Sequence, residues 1–308
     1  MFPANSPIRL LKTVLALLCA VAWAGGAAQG QNARSNTAEQ VQKAYQRGVA
    51  SAQKGDLAGA RRAFEQAIRL SPRTAELHAS LGQVLLQQGE VDRAVAEFRK
   101  ASTLKPGLAE AHTFLGNALL SRGEVEPAIS ELRRGVQLAP KDAEARRQLA
   151  RALSAQGETG MALDEMSQAA HLAPERADLH DAVGVLLAQE SQYDKALEEF
   201  RQAAELQPEY EPAHFHLGVA LWKLHEWDKS AVSLRQAVRL NPQDAPAYFY
   251  LGQSLASGGD STGALQALQE CARLKPDWAE AQTQLGLVAQ KAGEPDQALA
   301  AFQRAAKL

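Results

Sequence analysis

Apolar and small residues recur along residues 41–308 in paired runs at helical spacing, and the pairs repeat with a fixed period. In residues 109–142, Leu115, Gly116 and Leu119 share one face of a first run, and Ala128, Leu132 and Gly135 share one face of a second. Spacings of three and four residues predict an amphipathic helix for each run. The break between the runs carries Gly55, Gly89, Gly123, Gly157, Gly259 or Gly293 in six of eight copies, and a proline follows the second run. Those prolines, Pro72, Pro106, Pro140, Pro174, Pro208, Pro242 and Pro276, stand 34 residues apart without exception. Each period therefore reads as helix, tight turn, helix and stop. Setting the proline at position 32 starts the units at residues 41, 75, 109, 143, 177, 211, 245 and 279. Two helices cannot bury an apolar face alone and must stack on their neighbours, so the expectation is an all-α chain with one folded domain over 41–308.

Composition agrees with close helix packing. Apolar residues make up 46% of the 308, aromatics only 6%, and much of the apolar share is alanine. A formal charge of −2 excludes a globally basic nucleic-acid binder, yet the charge is uneven along the chain. Residues 41–74 hold seven cationic side chains against Asp56 and Glu65, whereas residues 177–210 hold eight acidic ones against Lys195 and Arg201. Solvated helix faces account for much of this, and an oriented partner is the alternative.

Arg9 and Lys12 precede the apolar run Val14 to Trp23, and small residues follow from Ala24. This is the three-part pattern of a secretory signal peptide over residues 1–28, with cleavage expected near Ala24 to Gly30 and a polar linker over 29–40. The run is short of the ~20 apolar residues that a membrane-spanning helix needs. Leu18, standing before Cys19, does not suit a lipid-attachment site, and cleavage would leave Cys271 as the single cysteine, without an internal disulfide. The expected location is periplasmic or secreted.

With Leu-Gly at positions 7 and 8, alanine at 20, a large apolar residue at 24, a small one at 27 and proline at 32, the unit resembles the tetratricopeptide repeat. The pair stands as Leu81-Gly82, Leu115-Gly116, Leu217-Gly218, Leu251-Gly252 and Leu285-Gly286; position 24 holds Phe64, Phe98, Leu132, Met166, Phe200, Leu234, Leu268 and Phe302. Arg47-Gly48, Leu149-Ala150 and Val183-Gly184 are departures. The resemblance covers residues 41–308 and implies a right-handed α-solenoid, a superhelix of eight helix-turn-helix units. No polar helix follows the eighth unit, so Leu299 and Phe302 are expected to be partly uncovered, and self-association through that end is one use for them.

Little in the chain suggests catalysis. His78, His112, His180 and His214 all occupy position 4, but equivalent positions of stacked helices lie about 8–10 Å apart. Zinc binds nitrogen at about 2.0–2.1 Å, so these histidines cannot share one ion and read as packing residues. His225-Glu226-Trp227-Asp228 lacks the second histidine of a zinc-protease motif. The chain has no phosphate-binding glycine loop, no nucleophile elbow and no insertion that breaks the period. The expectation is no enzyme activity, no metal and no cofactor.

In proteins that the sequence resembles, positions 2, 5, 9, 12 and 13 of the first helix line an inner groove that meets the partner. Here those positions form three zones. The first is polar with apolar spots, including Gln83, Leu86, Gln87, Thr113, Asn117 and Leu120. Asn117 matches the asparagine of a peptide-carboxylate clamp, but Thr113 stands where the clamp has lysine, which argues against one. The second zone carries Arg147 and Arg151, placed i,i+4 to grip a carboxylate or phosphate. The third carries Phe215, Val219, Trp222 and Lys223 with Phe249 and Gln253. Phe215, Val219 and Trp222 make an apolar stripe apart from the core face of Leu217 and Leu221, which suits a partly exposed patch for a peptide, an amphipathic helix or a sugar chain. Packing between adjacent helices is the competing account of Trp222 and Phe249. The expected function is a non-catalytic scaffold that binds a partner protein or peptide in the groove, in the cell envelope or outside the cell. The alternatives are an envelope scaffold for polysaccharide export, with a glycan on the aromatics, and an assembly factor for outer-membrane or pilus components.

Overall fold

The computed structural model describes residues 28–308. Arg9, Lys12, Cys19 and the apolar run of the expected signal segment lie outside the described residues. Among the described residues there are sixteen helices, and no helix is long and apolar enough to cross a membrane. The fold is an all-α solenoid of helix-turn-helix units, two helices for each 34-residue period.

The described chain divides into two compact units, one ending at Glu158 and one running from Thr159 to Leu308. The first holds α1 (Ala28–Gln53), α2 (Leu57–Leu70), α3 (Ala75–Gln87), α4 (Val91–Leu104), α5 (Ala109–Ser121), α6 (Val125–Leu138) and α7 (Ala143–Gln156). The second holds α8 (Thr159–Leu172), α9 (Ala177–Gln189), α10 (Tyr193–Leu206), α11 (Glu211–Lys223), α12 (Trp227–Leu240), α13 (Ala245–Ser257), α14 (Ser261–Leu274), α15 (Ala279–Lys291) and α16 (Pro295–Ala305). Within the solenoid expected over 41–308, the boundary between these units falls inside the fourth repeat, between its helices. Nearest-neighbour packing has no central core to hold a repeat array together, so a division can fall at any turn. A difference lies at the start: the polar stretch 29–40, expected as a linker, is helical and continuous with the first repeat in α1.

Within each unit, a helix packs on the next in sequence, and the first helices of successive repeats touch one another: α3 with α5, α5 with α7, α9 with α11, α11 with α13 and α13 with α15. The first helices therefore form one layer and the second helices the other. Position 24 supplies the plug between layers. Phe98, Leu132, Phe200, Leu234 and Leu268 are all fully buried or within 1% of it. In seven of the eight units the plug faces a glycine, and in the fourth the plug is Met166 and position 8 is Ala150. A Cβ on Gly82 would lie 2.6 Å from the Phe98 ring, and one on Gly116 2.5 Å from Leu132. The Leu-Gly pair is thus a large residue filling the core beside a small one admitting the plug.

The turn inside each repeat has one left-handed residue at position 15. Six copies use glycine, with φ between 76° and 93°, whereas Ser191 and His225 hold φ of 60° and 62° in the other two. The missing glycines of the fifth and sixth repeats did not change the turn. Two second helices begin on an aspartate cap: Asp56 accepts from the Gly59 amide at 2.8 Å and Asp260 from that of Gly263 at 2.8 Å. Cys271 is buried in the core of the second unit, and burial pushes its thiol up to about 11. On α16, Leu299 is 58% exposed and Phe302 is half-buried.

Candidate functional site

In the first unit, Gln83 on α3 and Asn117 on α5 are half-buried. The Asn117 Oδ1 atom is buried with no hydrogen-bond partner among the described residues. Thr113 is buried; its hydroxyl donates to the Ala109 carbonyl at 3.2 Å and packs where a side chain on Gly135 would stand, so it belongs to helix packing. Leu86 and Leu120 are half-buried against the core, and Gln87 is exposed.

Arg147 and Arg151 on α7 do not present an empty fork. Arg147 donates from Nε to Glu144 Oε2 at 2.9 Å and from Nη2 to Glu144 Oε1 at 2.6 Å. Gln148 donates to the same Glu144 Oε1 at 2.5 Å, and Arg151 donates to Gln148 Oε1 at 3.0 Å. A carboxylate or phosphate of a partner would share or displace Glu144 at Arg147 and Gln148 at Arg151. An acid three residues before Arg147, on the same helix face, already takes its planar fork. A concavity of about 650 Å³ in this unit lies elsewhere, around His112, Glu126, Glu131, Arg133 and Arg134.

In the second unit, the structure separates Phe249 from its expected neighbours. Phe249 is 3% exposed, with its ring 4.6 Å from that of Trp278 at an interplanar angle of 31°. It is a core residue and no part of an exposed patch. The reason is the aromatic residue at the entry to the next repeat, which folds over position 5. Phe215, Val219 and Trp222 on α11 are half-buried, and Lys223 is exposed, its ammonium 5.1 Å from the centre of the Trp222 ring.

What joins the stripe is Tyr250 on α13, which sequence reasoning did not select. Its ring meets Trp222 edge-on at 5.2 Å and Phe215 at 6.2 Å, and Trp227 closes the cluster at 6.4 Å from Trp222. Tyr250 sits at position 6, outside the groove positions, and its only sequence signal is being aromatic beside Phe249. Gln253 is half-buried with its Oε1 buried and lacking a partner among the described residues.

Next to the aromatics is an acidic group also missed in the sequence. Asp181, at position 5 of the fifth repeat, is 6% exposed and accepts from His216 Nδ1 at 2.7 Å. The His216 ring lies 5.4 Å from Phe215. Burial and a hydrogen bond to the Asp244 carboxylate push Glu211 up to about 7, with Asp181 adding to the rise and His216 opposing it. Among the described residues, no group of three or more histidine, cysteine, aspartate or glutamate side chains is placed to hold a metal ion. The arrangement offers apolar contact, a cation beside an indole, and a carboxyl, Glu211, raised by burial and by the neighbouring Asp244.

Tetratricopeptide-repeat models match residues 45–109 and 215–277, 85–137, 143–168 and 280–308, and a TPR-repeat model matches 184–225. The chain belongs to the tetratricopeptide repeat family. No curated protein matches it. Among solved structures, it is similar to a tetratricopeptide repeat protein from Parabacteroides merdae, 13% identical with a TM-score of 0.58, over 81% of this chain and 99% of that one. It is also similar to YrrB, described as a TPR protein with an unusual peptide-binding site, 24% identical with a TM-score of 0.54, over 63% of this chain and 97% of that one. A third is pilF of Pseudomonas aeruginosa, 21% identical with a TM-score of 0.55, over 63% of this chain and 88% of that one. At these identities the likeness shows the fold.

Proposed function

We propose that the protein is a non-catalytic scaffold that holds a segment of a partner protein on the α11–α13 face of its second unit, in the cell envelope or outside the cell. The observation that carries this reading is the cluster of Phe215, Val219, Trp222 and Tyr250, each half-buried on the layer of first helices, with Phe215 and Tyr250 seated against the core of the unit and part of each side chain left in water. Aromatic anchors of this kind supply much contact area with few rotatable bonds. Lys223 and Gln253 at the margin of the cluster would orient the segment. Gln83 and Asn117 belong to the first unit and are proposed separately as polar contacts there, Asn117 with a buried Oδ1 that lacks a partner among the described residues. YrrB, which shares the fold, is described by its peptide-binding site.

The test is capture of partners from an envelope extract by the purified chain, compared with Trp222→Ala and Lys223→Glu variants. Loss of the captured protein at least tenfold in Trp222→Ala, with helical circular dichroism unchanged, is the expected result. Equal capture by wild type and Trp222→Ala would remove the assignment. Export rests on the N-terminal pattern alone, and sequencing the N-terminus of the protein from its native cells tests it. A start between Ala24 and Gln31 is expected; a start at Met1 would overturn export by cleavage.

A further inference from the structure

At six of the seven prolines that close a repeat, the carbonyl accepts a hydrogen bond from the side chain six residues on, at position 4 of the next repeat. His78 Nε2 reaches Pro72 at 2.9 Å, His112 reaches Pro106 at 3.1 Å, His180 reaches Pro174 at 3.1 Å and His214 reaches Pro208 at 2.9 Å. Arg146 does the same to Pro140 at 3.0 Å, and Gln282 to Pro276 at 3.4 Å. In three of the histidine copies the other ring nitrogen meets a glutamate at position 23 on the second helix. His78 Nδ1 lies 2.6 Å from Glu97 Oε2, His112 Nδ1 2.7 Å from Glu131 Oε2, and His180 Nδ1 2.7 Å from Glu199 Oε2.

Both partners of each ring can only accept. A carbonyl has no proton to give and neither has an ionised carboxylate, while a neutral imidazole carries a single N–H. The imidazolium form alone makes both bonds, one of them charge-assisted. The array holds its own comparisons. Arg146 gives the proline carbonyl a permanently charged donor, whereas His214 has Ser233 at position 23 and therefore only the proline bond.

We propose that His78, His112 and His180 are proton-operated clamps, each tying the turn that enters a repeat to both helices of that repeat when protonated and releasing one of its two bonds when neutral. The charged neighbours are Glu97 and Lys100 at the first site, Glu131 with Glu126, Arg133 and Arg134 around the second, and Glu199 at the third. At His78, which is 4% exposed, the Glu97 bond raises the imidazole above its ordinary value; burial opposes, and the Pro72 carbonyl adds to the rise. A group raised on folding stabilises fully below its unfolded value near 6.5, and that contribution is lost as pH rises through the folded value. Acid conditions therefore tighten the turn held by His78 and alkaline conditions loosen it; His112 and His180 make the same pair of bonds.

The experiment uses the full chain with labelled histidine imidazoles, titrated by NMR, and amide hydrogen exchange at residues 72–78, 106–112 and 174–180. His78 is expected to titrate above its ordinary value of 6.5, and exchange at the three turns, corrected for intrinsic rates, should speed several-fold between pH 6 and pH 8.5. Replacing the three with arginine, as at Arg146, should remove that pH dependence while keeping slow exchange. Replacing them with glutamine, as at Gln282, should give fast exchange at both pH values. Titration of His78 at or below its ordinary value of 6.5, or an unchanged exchange profile in the glutamine variant, would overturn the proposal.

Discussion

Phe249 and Trp222 are aromatic residues on adjacent first helices, and the structure gives them opposite roles. Phe249 is sealed under Trp278, so Phe249→Ala leaves a cavity and should cost about 3 kcal/mol, read as a lowered midpoint in urea. Trp222 keeps part of its ring in water, and its replacement is a test of binding more than of folding. Position numbering put both in the groove, because it records which helix face a residue occupies and says nothing of what the next repeat lays over it. The same limit hid Tyr250, which reaches back from α13 to Phe215 and Trp222. Glu211 carries a pH signature. Its carboxyl, held up to about 7 in the fold by burial and Asp244, sits at its ordinary 4.5 when unfolded. The folded chain then binds more protons than the unfolded one between those values, so this group's contribution falls as pH rises from 4.5 to about 7 and is level above. Glu211→Gln should therefore raise the thermal midpoint at pH 8 relative to wild type and change it least near pH 4.5. An equal effect at both pH values would count against the raised carboxyl.

The helix pair is the element that the sequence states most fully. Its turn requires a left-handed residue at position 15, and its two layers set a plug at position 24 against a glycine at position 8 in seven of the eight units. Opposite outcomes follow at the two kinds of site. Ser191→Gly relieves a left-handed conformation that costs an L-residue ~1 kcal/mol, and should stabilise by roughly half that after the extra chain entropy of glycine. Gly82→Ala forces a methyl group to 2.6 Å from the Phe98 ring and should destabilise by about 1–3 kcal/mol. Denaturant midpoints of the two variants check both signs. The turns of the fifth and sixth repeats were less legible because Ser191 and His225 carry no glycine signal. Stacking on either side holds them in the same conformation as the other six.

For the whole molecule, stability is a sum over neighbouring helices, since each helix touches those next to it within its unit. A chain ending after Trp278, without α15 and α16, should keep its mean residue ellipticity at 222 nm and melt at a lower temperature. Collapse of the ellipticity to less than half would show that the second unit folds only as one block. Sequence alone determined the repeat length, the all-helical solenoid, the plug and its glycine, and the absence of inserted segments, because all of these depend on residues within one 34-residue period. Tertiary structure decided the division at Glu158, the helical continuation of the first repeat through 29–40, the closing of Arg147 onto Glu144 and the burial of Phe249. It also made bridges between a proline carbonyl and a glutamate of three of the four position-4 histidines, His78, His112 and His180. These depend on distances between side chains in different turns, helices and repeats, and a periodic pattern along the chain holds no record of those distances until the helices are packed.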